Sequence, residues 1–217
     1  MVTTKLQLMF MVTALVYLIS LVVSPYFMQF AVKTLPIVVL LALAYAKLTG
    51  LLRKLMVAAL LASAVGDVLL ALELQNGFVM GLGAFLIAQM LYTVSFVKFR
   101  QVHNDKTLSL AGAFSVGVFA VLMALYILPN TGELLVPVVF YLLVISCMGM
   151  VAFLCGMHKF TVFGACCFLC SDAMIAQSVF KSDFAMSSVW IMLTYYCAQY
   201  FILDGMIKLQ TVPSEQD

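Results

Sequence analysis

The chain is built from long apolar runs that are separated by short polar segments. An α-helix needs about 20 mostly apolar residues to cross the hydrocarbon core of a bilayer, and each run approaches that length. The pattern therefore predicts eight membrane helices, the second of them bent near Pro36 because proline lacks a backbone N–H. The expected helices cover residues 7–24, 26–48, 54–73, 78–98, 108–128, 134–157, 160–180 and 185–208.

The segments between these runs contain residues that end helices and form turns. They include Ser24-Pro25, Thr49-Gly50, Asn76-Gly77, Pro129-Asn130-Thr131-Gly132 and Lys181-Ser182-Asp183. Eight spans use about 160 residues, so no extramembrane domain is expected. We predict a single all-α transmembrane domain over residues 1–209 and a disordered polar tail over residues 210–217.

Composition supports a membrane protein and excludes several classes of soluble protein. Of the 217 residues, 65% are hydrophobic and 9% are charged, and the mean hydropathy is +1.17. Soluble domains have roughly 45–50% apolar and about 25% charged residues. A soluble fold of this size cannot cover so much apolar surface, which excludes soluble enzymes and disordered scaffolds. The net charge of +2 gives no reason to expect a nucleic-acid partner.

Basic residues cluster at one end of the predicted bundle and set its orientation. Loops rich in Lys and Arg stay in the cytosol, so both termini are expected on the cytosolic side. Only Lys33 and Lys181 lie away from that end. The run over residues 8–23 is too long for a signal-peptide core, and we interpret it as the first membrane helix. The basic residues on the N-terminal side are Lys5, Lys47, Arg53, Lys54, Lys98, Arg100, Lys106, Lys159 and Lys208.

A short internal similarity indicates a repeat of two four-helix halves. Residues 65–71 (Val-Gly-Asp-Val-Leu-Leu-Ala) resemble residues 170–176 (Cys-Ser-Asp-Ala-Met-Ile-Ala), at an offset of 105 residues or four helices. Because an even number of spans preserves orientation, such a repeat is parallel, four plus four. The match is short, and chance explains it equally well.

Three ionisable residues lie inside the predicted spans, where a charge costs several kcal/mol and therefore indicates function. They are Lys33, Asp67 and Asp172. Counted from the predicted helix ends at 1.5 Å per residue, they lie roughly 9–12 Å below the outer interface. We therefore expect the three side chains to share one layer of the membrane.

Uncharged polar residues lie somewhat deeper on neighbouring helices. Gln89 and Tyr92 are three residues apart, and Tyr195 and Gln199 are four apart, so each pair shares a helix face. Both faces are suited to hydrogen-bond a carboxyl group or a substrate. The alternative is that these residues only join helices, as polar side chains in membranes often do.

Two nearby carboxyl groups in a medium of low polarity tend to hold one proton between them. Asp67 and Asp172 would then supply an acid and a base at neutral pH without a metal or a cofactor. Lys33 opposes this sharing because it favours both ionised forms, and it is alternatively suited to bind a substrate phosphate. A purely structural alternative is that the Lys and Asp charges neutralise one another and hold the helices together.

The sequence predicts no metal and no cofactor. Its six cysteines lie inside apolar runs, where Cys packs as a small hydrophobic side chain. Cys167 and Cys170 have the spacing of a metal or redox pair, but no His lies near them, and His103 and His158 are in loops. The Gly-x-Ser-x-Gly, His-Glu-x-x-His and Walker patterns are also absent.

Six stretches of the chain resemble, in order, the YhhN family of lysoplasmalogenases, which are small eight-helix membrane proteins. Two positions depart from the family pattern: Gln89 stands where members usually have His, and Thr34 where they usually have Pro. Gln cannot exchange a proton as His can, so the first departure bears on catalysis. The matching stretches are residues 33–36, 66–70, 81–92, 137–141, 164–172 and 194–199.

The resemblance implies hydrolysis of the vinyl ether bond of a lysoplasmalogen, a lysophospholipid, to a fatty aldehyde and glycerophosphoethanolamine or glycerophosphocholine. It implies Asp67 and Asp172 as the catalytic acid and its ionised partner, without deciding which residue has which role. Lys33 is then expected to bind the head-group phosphate. The side chains expected to position water or the glycerol hydroxyl are Gln89, Tyr92, Tyr195 and Gln199.

Two other functions are compatible with paired carboxyl groups in a membrane. One is a proton- or cation-coupled transporter, and the other is an inactive relative that binds lipid and regulates a partner. Animal members of the family are associated with the endoplasmic reticulum and bacterial members with the inner membrane. The resemblance favours the endoplasmic reticulum for this chain and leaves its head-group preference and oligomeric state open.

Overall fold

The computed structural model describes residues 2–72, 74–101 and 106–211, and this part of the chain contains eight α-helices and no strand. The eight predicted helices are confirmed as helices, with ends that differ from the expected ones by at most five residues. Pro36 lies within the second helix, which continues through it. The helices are α1 (Val2–Ser20), α2 (Gln29–Lys47), α3 (Gly50–Ala71), α4 (Gly77–Lys98), α5 (Lys106–Ile127), α6 (Leu135–Leu154), α7 (Lys159–Phe180) and α8 (Ser187–Thr211).

Some sequence predictions fall on parts of the chain outside the described residues. They include His103, Glu73 at the predicted end of the third helix, and residues 212–217 of the predicted tail. The first two residues of that tail, Gln210 and Thr211, are the last residues of α8. The Gln210 side chain accepts a hydrogen bond from the backbone N–H of Thr49 at 3.0 Å.

Local residues explain where the helices end. Gly156 follows the end of α6 with a φ of 61°, a left-handed conformation that glycine adopts without strain. His158 then caps α7, because its Nδ1 accepts a hydrogen bond from the Phe160 N–H at 3.2 Å. Partial burial lowers the pKa of His158, which favours the neutral ring that this cap requires.

Seven of the helical segments in the described residues are long and apolar enough to cross a membrane, so the chain is an integral membrane protein. They correspond to α1 through α7, and α8 is not among them. The predicted eighth span is therefore present as a helix but lacks the apolar composition of the other seven. The seven segments are Thr4–Val23, Gln29–Lys47, Gly50–Ala71, Gly77–Lys98, Lys106–Asn130, Gly132–Leu154 and Lys159–Phe180.

The position of α8 explains its composition. It runs antiparallel to α7, and it also packs against α1 and α2, so much of its surface is enclosed by protein. The Ser171 hydroxyl at one end of this contact donates to the Ile191 carbonyl oxygen at 3.0 Å. Buried polar side chains of α8, such as Tyr195 and Gln199, therefore face other helices and need not be apolar.

Glycine allows α7 and α8 to approach closely. A Cβ atom at Gly164 of α7 would lie 2.7 Å from the Ile202 backbone nitrogen and 2.8 Å from the Ala198 carbonyl oxygen of α8. Small residues are common at helix contacts in membranes because they permit this backbone approach. By contrast, α5 packs against α6 and α7 and leaves much of its apolar surface exposed.

We expect Gly164→Ala to destabilise the bundle by about 1–3 kcal/mol, because backbone atoms of α8 cannot move aside as a flexible side chain can. Gly83→Ala is the matched control, since nothing lies within 4 Å of its added Cβ atom. Thermal unfolding of the purified protein in detergent measures both effects. An equal melting temperature for the two variants would contradict the described α7–α8 contact.

Candidate active site

The charged residues of the spans lie in one layer near the end of the bundle where α2 begins. Lys33 is four residues from the start of α2, and Asp67 is four residues from the end of α3. Asp172 is eight residues from the end of α7. At 1.5 Å per residue, these positions are about 6–12 Å from the helix ends, somewhat shallower than expected from the sequence.

Asp67 is paired with Lys33 across the α2–α3 contact. The Lys33 Nζ atom lies 3.3 Å from the Asp67 Oδ1 atom, and the two side chains are 12% and 2% exposed. The Tyr195 hydroxyl of α8 donates to the other oxygen, Oδ2, at 2.6 Å. The neighbouring Tyr196 hydroxyl donates to the Lys33 carbonyl oxygen at 2.7 Å. These bonds tie α2, α3 and α8 together.

Aromatic packing fixes the position of the Tyr195 ring. Phe85 and Phe168 meet this ring edge to face, with centroid distances of 5.8 and 5.7 Å. Phe85 lies directly against Gly66, where a Cβ atom would be 2.7 Å from the Phe85 ring. Because Gly66 has no side chain, Phe85 can lie against α3 one residue before Asp67. From there Phe85 packs against Tyr195, the hydrogen-bond partner of Asp67.

Asp172 lies in a different environment from Asp67. The Tyr141 hydroxyl of α6 donates a hydrogen bond to the Asp172 Oδ2 atom. Within the described ranges, no Lys or Arg side chain is within ion-pair distance of Asp172, and the residue is half-buried. Asp67 thus has an ammonium group and a phenol as partners, whereas Asp172 has a phenol.

Both carboxyl groups line one cavity of about 300 Å³. Lys33 and Tyr195 also line it, so four of the side chains with relevant chemistry face the same space. Near the helix ends its wall is polar and includes Ser24, Gln29 and Ser188. We call this cavity the chamber. It brings Asp67 and Asp172 to one space, in which each carboxyl group has its own hydrogen-bond partner.

The other three predicted binding residues are buried behind the chamber wall rather than on it. The Tyr92 hydroxyl donates to the Gln199 Oε1 atom at 2.5 Å. Gln89 lies beside the Tyr141 hydroxyl, although among the described residues neither of its amide atoms has a well-aligned hydrogen-bond partner. Gln89 is therefore a neighbour of the phenol that donates to Asp172.

Sequence reasoning did not identify Tyr141 and Tyr196 as site residues. Tyr141 is six residues from the start of α6, about 9 Å deep, which is the layer that holds the charged residues. The depth of this tyrosine in an otherwise apolar run was therefore a usable signal. Tyr196 gives no such signal, because its partner is a backbone carbonyl oxygen that any sequence contains.

The cysteines and His158 take no part in this arrangement. Across residues 2–72, 74–101 and 106–211, no group of three or more His, Cys, Asp or Glu side chains is placed to hold a metal ion. Cys167 and Cys170, which have the spacing of a redox pair, are both free thiols.

A family model and two named relatives point to the same protein family. The model of the YhhN family matches residues 28–206, which include Lys33, both carboxyl groups and their hydrogen-bond partners. Two proteins named lysoplasmalogenase, from Mycobacterium bovis and Mycobacterium tuberculosis, are each 32% identical to the chain over 190 residues. These matches cover 86% of this chain and 73% of each relative. No solved structure matches the chain significantly.

The Lys33–Asp67 ion pair predicts that substitutions of its two residues have non-additive effects on stability in a double-mutant cycle. We expect Lys33→Met to destabilise the protein by about 3–5 kcal/mol, because it leaves a buried carboxylate without its cation. The double variant Lys33→Met/Asp67→Asn should recover much of this loss, because it removes both charges. Thermal unfolding in detergent tests the cycle, and strictly additive effects would contradict a direct ion pair.

Proposed function

The chain belongs to the YhhN family, and we propose that it is a lysoplasmalogenase that hydrolyses the vinyl ether bond of a lysoplasmalogen. The products would be a fatty aldehyde and glycerophosphoethanolamine or glycerophosphocholine. The observation that carries this proposal is the chamber, in which two carboxyl groups with different partners face one space. Membership in the family and the names of the two relatives supply the substrate class.

We assign the acid role to Asp172. No ammonium group compensates a negative charge there among the described residues, so this carboxyl group is the one suited to hold a proton. Vinyl ether hydrolysis begins when an acid protonates the alkene carbon that is not bonded to oxygen. The electron pair of the double bond forms the new C–H bond, and the positive charge is shared between the other carbon and the ether oxygen.

We assign the ionised role to Asp67. Its carboxylate faces the same chamber and is suited to stabilise the oxocarbenium ion, because opposite charges attract strongly where water is scarce. A water molecule then attacks the charged carbon, and its proton passes to the Asp172 carboxylate. The resulting hemiacetal loses the glycerol oxygen as an alcohol and becomes the aldehyde, so the acid is regenerated and one water is consumed.

The remaining side chains serve binding and orientation. Lys33 is on the chamber wall and retains some exposure, so its ammonium group can bind the head-group phosphate. Phosphate binding would draw Lys33 from Asp67 and leave that carboxylate free to stabilise a cation. Tyr195 orients Asp67. We assign Gln89, Tyr92 and Gln199, which are behind the wall, to positioning the tyrosines and water rather than to direct contact with the lipid.

We further propose that α8 is an eighth crossing and that both termini face the cytosol of an endoplasmic reticulum membrane. The helix has 25 residues and runs antiparallel to α7, with contacts from Thr161 to Ser171. Gln7 near the start of α1 donates to the Tyr200 hydroxyl of α8 at 3.2 Å, which supports termini at one end. The nine basic residues at that end favour its cytosolic placement.

Asp172→Asn should reduce aldehyde release from a lysoplasmalogen by about 10²–10⁴-fold, the usual effect of losing a general acid. Asp67→Asn should also lose at least about tenfold, because the neutral amide no longer stabilises the oxocarbenium ion. The measurement is free aldehyde by mass spectrometry, using protein purified in detergent and a vinyl ether lysophospholipid.

Asp204→Asn is the matched control for this experiment. Asp204 is paired with Lys208 on α8 at 2.7 Å, away from the chamber, so its loss should leave aldehyde release unchanged. Near-normal release by both Asp67→Asn and Asp172→Asn would refute the acid and ionised roles. No release by the unaltered protein would refute the proposed function itself.

An even number of crossings predicts that epitopes at the two ends of the chain are on the same side. In cells whose plasma membrane alone is permeabilised with digitonin, antibodies should reach both an N-terminal and a C-terminal epitope. If only one epitope were accessible, α8 would not cross the membrane. Staining that does not coincide with an endoplasmic reticulum marker would refute the proposed membrane.

A further inference from the structure

Asp172, which accepts a hydrogen bond from Tyr141, lies between two spaces of different character. On one side is the chamber, whose wall carries Lys33, Asp67 and hydroxyl side chains among apolar ones. On the other is an apolar groove between α5, α6 and α7, to which both Tyr141 and Asp172 also contribute. Side chains beside Asp172 in this groove are small, since Ala173 and Ala176 of α7 line it. A carboxyl group on the wall of an apolar groove is unusual in a membrane protein.

The groove continues along α5 toward the basic end of the bundle. A second apolar groove, with Gly112 and Cys166 on its walls, shares the side chains of Phe119 and Leu169 with the first. Together the two grooves extend from Ile127 to Gly112 along α5, a distance of about 22 Å at 1.5 Å per residue. We call this combined feature the trough.

The shape of the proposed substrate matches this arrangement. In a lysoplasmalogen, the vinyl ether bond is the junction between the polar glycerophosphate and one apolar chain. In the protein, Asp172 lies at the junction between the chamber, which holds the charged side chains, and the apolar trough. A head group in the chamber and a chain in the trough therefore bring the bond to be cleaved to the carboxyl group.

We propose that the trough between α5, α6 and α7 is the binding site for the hydrocarbon chain of the substrate, and that Ala173 and Ala176 keep it open beside Asp172. This inference rests on the proposed function for the identity of the lipid. The exposed apolar surface of α5 places the trough next to the bilayer, so the chain enters sideways from the lipid.

The test uses a lysophospholipid that cannot be hydrolysed, with a saturated ether bond and a photoreactive diazirine at the end of its chain. After irradiation, mass spectrometry identifies the labelled residues. In the unaltered protein we expect label on the deep part of the trough, near Phe119, Phe153 and Cys166, that excess unlabelled lysophospholipid removes.

Cys170→Phe fills the trough between Asp172 and Cys166 and should reduce this label at least tenfold. Ala111→Phe is the matched control, because it adds an aromatic ring to an exposed position of α5 away from the trough. Cys170→Leu narrows the same stretch with a smaller side chain and replaces Cys170→Phe if the latter does not give a monodisperse protein. Label that Cys170→Phe or Cys170→Leu leaves unchanged, or that falls on α1 or α3, would overturn the proposal.

The same samples separate this inference from the proposed function, because labelling does not require cleavage. Label in the trough without aldehyde release from a lysoplasmalogen would support the chain site and refute the enzyme. Aldehyde release without label in the trough would support the enzyme and refute the chain site.

Discussion

The ion pair between Lys33 and Asp67 is the constraint on which the rest of the site depends. Burying either charge without its partner would destabilise the fold, so the packing of α2 against α3 brings the two together. Tyr195 donates to the second carboxylate oxygen of Asp67, and Tyr196 donates to the backbone carbonyl oxygen of Lys33. Because both tyrosines come from α8, that helix has to lie inside the bundle, and the close approach at Gly164 makes this possible.

The two carboxyl groups differ because different helices enclose them. Asp67 is held by α2, α3 and α8, whereas Asp172 is held by α6 and α7 at the wall between the chamber and the trough. A symmetric pair would share one environment and one proton. In this fold, an ion pair, a single phenol and an apolar groove make the environments unequal, which is the condition for two acidic side chains to serve two roles in one reaction.

The sequence predicted the helices well because a bilayer allows few other backbone structures, and apolar runs of fixed length mark them directly. It also predicted the layer of Lys33, Asp67 and Asp172, because depth follows from counting residues along a helix. It did not predict which polar side chains reach the chamber. Whether Gln89 and Tyr92 face it depends on the rotation of α4 about its own axis, which counting along the sequence does not give. The repeat of four plus four helices stays a prediction, as does the shared proton.

The central place of α8 also affects how the protein is made. Seven helices are synthesised before Tyr195, so Asp67 enters the membrane with Lys33 but without its phenol. The chamber cannot assemble until the final helix inserts among helices that already surround its place. A premature stop codon before α8 would therefore abolish the site while leaving seven spans that insert normally. Degradation of such a product would depend on recognition of the space that α8 normally fills.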